Sequence, residues 1–126
     1  MENKQNDPKQ VKNDHFEVLY NSQRIFQNRM EKENPDNAAF RIGSPEYNRM
    51  MSIALIGEVY EALNETKWKE WKKTSKYDQD AFKDELVDCQ IFLMDLMFSA
   101  ELDVKEFYER MYSKIDVNHD RQNQGY

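Results

Sequence analysis

One cysteine in 126 residues excludes an intramolecular disulfide. Cys89 sits among Leu86, Val87, Ile91 and Phe92, with no histidine beside it, which is the setting of a buried, reduced thiol. Long apolar runs are also missing. The N-terminus has none to act as a signal peptide, and the longest, Ile91 to Ala100, is broken by Asp95 and too short to span a bilayer. The expectation is a protein without a membrane partner that works in the cytoplasm, or in the host cytoplasm if a phage encodes it. Net positive charge is lacking as well. A formal charge of -6 argues against a general nucleic-acid or acidic-membrane binder, and leaves room for a local basic site that takes an anionic small molecule.

What is present suits one domain with little to spare. Hydrophobic residues make up 39%, charged residues 33%, and mean hydropathy is -1.02, so pairing with a second copy is a natural way to hide apolar surface. No segment alternates like a strand between turn signals, and there is no repeat. Residues 1–13 are polar, carry Pro8 and read as a disordered leader, with the folded domain over 14–126. From Asp14, Phe16, Leu19, Gln23, Phe26, Gln27 and Met30 recur at steps of three and four, which predicts a first helix ending near Asn34-Pro35. Ser44-Pro45-Glu46 supplies an N-cap, a first-turn proline and an early acid for a second helix to about Asn64. Asp78 or Asp80 starts a third helix, apolar on nearly every side from Phe82 to Phe98 and therefore expected at the centre. Asp103-Val104-Lys105-Glu106 opens a fourth, running to about Asn118, with Arg121 to Tyr126 as a polar tail. The expected fold is an all-α bundle of four to five helices, completed by homodimerisation.

Two acidic pairs break the apolar pattern. Glu58 has Met51, Ala54, Leu55 and Ala62 around it on the helix surface, and Glu61 joins it three residues on. Glu85 and Asp88 repeat the spacing between Phe82, Cys89 and Phe92. Four carboxylates cannot stay ionised in a dry interior without compensation. Lysines or Arg49 are one source of positive charge; the other is a dinuclear metal site built from facing helices. Neither pair includes a histidine, and an all-oxygen ligand set favours Mg²⁺ or Mn²⁺ over iron or zinc.

The segment KWKEWKKTSK, Lys67 to Lys76, holds five lysines against one glutamate. Trp68 and Trp71 offer faces on which a base can stack, and the lysines offer charge for phosphates; the alternative is that the tryptophans cap the core. Lys114, Asn118 and Arg121 fall on one helix face and form either a second phosphate-binding row or a solvated one.

In this order the motifs resemble the all-α nucleoside triphosphate pyrophosphohydrolases, specifically the dimeric dUTPases and the short dCTP/dUTP pyrophosphatases of tailed phages. The resemblance rests on Gln23-Arg24-Ile25-Phe26-Gln27, Glu58-x-x-Glu61, Lys67-Trp68-Lys69-Glu70-Trp71-Lys72, Glu85-Leu86-Val87-Asp88, and Lys114-x-x-x-Asn118-x-x-Arg121-Gln122-x-x-Gly125-Tyr126. It implies metal ligation by Glu58, Glu61, Glu85 and Asp88, and Mg²⁺-dependent hydrolysis of dUTP, with dCTP a further substrate, to the monophosphate and pyrophosphate. It also implies a homodimer, base and sugar contacts from Gln23, Gln27, Trp68 and Trp71, and phosphate contacts from Lys69, Lys72, Lys114, Asn118, Arg121 and Tyr126. Ile91 stands where dimeric dUTPases usually carry a histidine, and Glu31 where they often carry an asparagine. Both departures fall at the nucleoside pocket, so the resemblance leaves base choice open. A MazG-like or phage pyrophosphatase with another preference uses the same chemistry; a helical interaction protein with structural acidic clusters uses none of it.

Overall fold

The computed structural model describes residues 8–125, with side chains from residue 15 onward. Four α-helices follow one another: α1 (Pro8–Glu33), α2 (Pro45–Asn64), α3 (Gln79–Ser99) and α4 (Val104–Asn123), with a single 3₁₀ turn at Ala38–Phe40. No strand occurs among the described residues, so the fold class is all-α as expected.

Three helix starts are fixed by local chemistry. The Ser44 hydroxyl accepts from the Tyr47 amide at 3.0 Å, with Pro45 in the first turn. Asp78 does the same for Ala81 at 3.0 Å and Asp103 for Glu106 at 2.8 Å. Each cap satisfies an amide that has no intrahelical partner and contributes about 1 kcal/mol. The α1–α2 loop is tied down by Glu31, whose Oε2 accepts the Ile42 amide at 2.7 Å, and by Ser44, whose hydroxyl donates to the Ala38 carbonyl at 2.7 Å. Gly43 takes φ 93°, a conformation that favours glycine.

Helices α2 and α3 form an antiparallel hairpin. Near one end the Ser99 hydroxyl donates to Asn48, and toward the other Glu58 lies beside Glu85. Met51, Ala62, Met94, Met97 and Phe98 are buried between the elements. Helix α1 lies across α3: the Tyr20 ring meets Phe98 edge-on at 4.8 Å, and its hydroxyl donates to the Leu102 carbonyl in the α3–α4 turn. Among the described elements, helix α4 packs on α1 near its own start, where Phe107 stacks on Phe16 at 5.5 Å.

Several expectations need correction. Helix α1 begins at Pro8, so the leader read over 1–13 overlaps its first turns; proline suits the first helical position because its missing amide hydrogen has no intrahelical acceptor there. Residues 1–7 lie outside the described residues. The covered stripe of α1 is Phe16, Tyr20, Gln23 and Gln27, while Leu19 and Phe26 face outward. Helix α3 is covered on one side only, with Leu86, Val87 and Leu93 exposed. Helix α4 continues through Asn123, which makes Arg121 helical rather than part of a tail.

Candidate active site

The α2–α3 hairpin brings Glu58, Glu61 and Glu85 together, each offering a carboxylate oxygen within 4.8 Å of the others. The stripe of Met51, Ala54, Leu55 and Ala62 turns Glu58 inward, leaving it half-buried, while Glu61 is exposed at the rim. Glu58 Oε2 and Glu85 Oε2 are buried and have no hydrogen-bond partner. Burial pushes the Glu58 carboxyl up to about 7, helped by the neighbouring carboxylates of Glu61, Glu85 and Asp88. Glu85 is raised chiefly by burial, against a lowering from its hydrogen bond with Glu58, and further by the charges of Glu61 and Asp88. Asp88 is half-buried and outside the mutual 4.8 Å set, although its charge reaches both glutamates. Cys89, half-buried, has its thiol pushed up by burial and by Glu58 and Asp88, which keeps it protonated and weakly nucleophilic.

Among the described residues, no ion pair joins a lysine or arginine to Glu58, Glu61, Glu85 or Asp88. The ion pairs among the described residues, Arg29 with Glu33 and Arg110 with Glu106, lie on other helices. Buried, unpartnered carboxylate oxygens that raise one another's pKa fit a divalent cation held by oxygen ligands.

One turn beyond Glu61, at the C-terminal end of α2, the basic aromatic loop begins. A cavity of about 230 Å³ is lined by Asn64, Thr66, Trp68, Lys69, Lys72 and Ser75. Trp68 donates through Nε1 to Asn64 at 3.3 Å, and the Lys69 ammonium lies 5.5 Å from the Trp68 ring centre. Trp71 meets Trp68 edge-on at 5.8 Å and is 73% exposed, so the tryptophans do not cap the core. A larger polar groove of about 450 Å³ beside Glu31 and Arg41 shares no residue with the acids.

A second polar group lies deeper. Tyr47, fully buried, donates its hydroxyl to Gln27 Oε1 at 3.1 Å, and Gln23 Nε2 donates to Asp95 Oδ1 at 3.0 Å. Gln23 and Gln27 are thus placed together, one helical turn apart. Their partners Tyr47 and Asp95 carry no weight in the sequence reading; the signal for Asp95 is a lone carboxylate inside the run from Ile91 to Ala100. Among the described residues α4 packs against α1, and no contact between α4 and the α2–α3 hairpin brings Lys114, Asn118 and Arg121 to the acids. Tyr126 lies outside the described residues.

An all-α bundle with a carboxylate cluster on facing helices and a basic aromatic cavity beside it fits the class of nucleoside triphosphate pyrophosphohydrolases. The family model described as dUTPase matches residues 15–114, and the chain belongs to that family. Its reaction is the hydrolysis of dUTP to dUMP and pyrophosphate. The match includes both acidic pairs, the tryptophan segment and Lys114, and stops short of Asn118, Arg121 and Tyr126. No curated protein and no solved structure matches the chain.

Proposed function

We propose that the protein is a Mg²⁺-dependent dUTP diphosphatase working as a homodimer, with Glu58, Glu61, Glu85 and Asp88 holding the metal. The observation that carries this reading is the pair of buried, unpartnered oxygens on Glu58 and Glu85 within a cluster of three carboxylates on facing helices. Mg²⁺, or Mn²⁺ in its place, would supply Lewis-acid polarisation of phosphate oxygens and a lowered pKa for water. The chain's own residues do the rest. Glu61, at the rim, accepts the proton of a water that attacks the α-phosphorus as the bond to the bridging oxygen of pyrophosphate breaks. Lys69 and Lys72 offset the charge on the departing pyrophosphate. Trp71 and Trp68 give the base a surface on which to stack.

The homodimer is supported by the surface one copy leaves uncovered. Ile53, Ile56, Val59, Tyr60 and Leu63 are exposed on α2, and Tyr108, Met111, Tyr112 and Ile115 on α4. In such a dimer Lys114, Asn118 and Arg121 can serve a cluster that their own α4 does not reach.

Product analysis across a panel of deoxynucleoside triphosphates, with and without Mg²⁺, tests this reading. Expected is pyrophosphate release from dUTP that requires the metal, with dCTP slower. Equal rates on every triphosphate would instead favour a MazG-like enzyme of broad preference. No turnover and no metal-dependent nucleotide binding would leave a helical interaction protein.

A further inference from the structure

One buried charge is left unused by this chemistry. Asp95 is 1% exposed, its Oδ1 accepts from Gln23 Nε2 at 3.0 Å, and its Oδ2 is buried without a partner. A carboxyl placed there only to support the core is a poor choice, because an asparagine of the same shape could accept from Gln23 and bury no charge. What a carboxylate does that an asparagine cannot is refuse to donate. Facing an acceptor-only group, the Gln23 amide can present only its NH₂ end, so its Oε1 must point the other way.

The place on the fold gives that orientation a use. Asp95 lies seven residues after Asp88 on α3, on the same face and about 10 Å further along the helix axis. That span is comparable to the reach from the α-phosphate of a nucleotide to the edge of its base. Gln23, half-buried, approaches this level of α3 from α1. Uracil and cytosine are nearly the same shape but opposite in hydrogen-bonding sense at two neighbouring positions: N3 donates and O4 accepts in uracil, whereas N3 accepts and N4 donates in cytosine. An amide free to turn over serves both, and an amide held one way serves one.

We propose that Asp95 is a positioning residue for base selection, holding Gln23 with its amide oxygen toward N3 of the base, so that the N3–H of uracil is accepted and the N3 lone pair of cytosine is refused. The inference rests on the reading above, in which α1 meets the base of a nucleotide whose phosphates lie at the carboxylate cluster.

The test compares kcat/KM for dUTP and dCTP, with Mg²⁺, in the parent, Asp95→Asn, Gln23→Met and the double variant, with folding followed by circular dichroism. The parent is expected to favour dUTP. Asp95→Asn lowers the dUTP-to-dCTP ratio by about tenfold or more, the scale of one mismatched hydrogen bond. Gln23→Met lowers it too, and adding Asp95→Asn to that variant changes nothing further, because Asp95 acts through Gln23. A parental ratio in Asp95→Asn overturns the inference, as does an undiminished effect of Asp95→Asn in the Gln23→Met background. If Asp95→Asn fails to fold, Gln23→Met decides, and a parental ratio there overturns the inference. A parent that hydrolyses neither nucleotide removes the underlying reading instead, whereas a dUTP-selective parent with indifferent variants leaves that reading standing.

Discussion

Glu58 on α2 and Glu85 on α3 lie beside one another across an antiparallel hairpin, each with a buried Oε2 that no donor meets. Leaving carboxylate oxygens in this state costs stability, and burial together with neighbouring negative charge raises the pKa of both residues. A bound divalent cation would reverse the local electrostatics, turning mutual repulsion into shared attraction.

Metal binding is therefore expected to stabilise the fold. With Mg²⁺ in excess the parent's Tm rises, and the rise grows from pH 6 to pH 8, because Glu58, raised to about 7, must lose its proton to bind. Thermal melts of Glu58→Gln, with and without Mg²⁺, check this; the shift should disappear.

Asp95 makes a pH prediction of opposite sense. Its pKa rises from 3.8 to about 6, chiefly by burial, so the folded state holds a proton that the unfolded chain releases between those values. Its stabilising contribution is full below about pH 4 and is lost as pH rises through 6, a change of roughly 3 kcal/mol at most. Urea unfolding of the parent at pH 5 and pH 7.5 should show part of that loss. Asp95→Asn should flatten the dependence and be at least as stable as the parent at pH 7.5.

Trp71 separates binding from folding. At 73% exposure its removal leaves no cavity, so Trp71→Ala is expected to change stability by less than about 0.5 kcal/mol. Its KM for dUTP should rise by about tenfold, as base–aromatic stacking of 1–3 kcal/mol implies. Paired denaturation and steady-state kinetics on one preparation provide the check.

The uncovered face of α2 makes a prediction about assembly. Ile56, exposed at 69% on the same helix as Val59, Tyr60 and Leu63, should lie in the interface of the proposed dimer. Ile56→Asp is expected to shift the parent's sedimentation from dimer to monomer and to lower its stability by a few kcal/mol, through loss of the partner's coverage.

Much of the architecture was legible because its causes are local. Ser44-Pro45 and Asp103 announce helix starts through caps that act within a few residues, and α2 runs over the expected span. The inward turn of Glu58 follows from the apolar residues three, four and seven positions away. Hidden from that reading were contacts between residues far apart in the chain. Gln23 meets Asp95 across 72 positions and Gln27 meets Tyr47 across 20, and no helical period signals either pairing. The expectation that α3 is covered all round failed for a related reason: a helix apolar on every side shows how much surface must be hidden, not that its own chain hides it. Leu86, Val87 and Leu93 remain exposed. The row of Lys114, Asn118 and Arg121 was legible as a helix face, but not its distance from the acids, which depends on where α4 packs.

The most direct measurement is Mg²⁺-dependent pyrophosphate release from dUTP by the parent and by Glu61→Gln. Glu61 is exposed, so the substitution should leave the helical circular dichroism signal intact. Expected are dUMP and pyrophosphate in equal amounts from the parent, none without metal, and a loss of at least 100-fold in the variant. Turnover of dUTP by Glu61→Gln at the parent's rate would contradict that expectation.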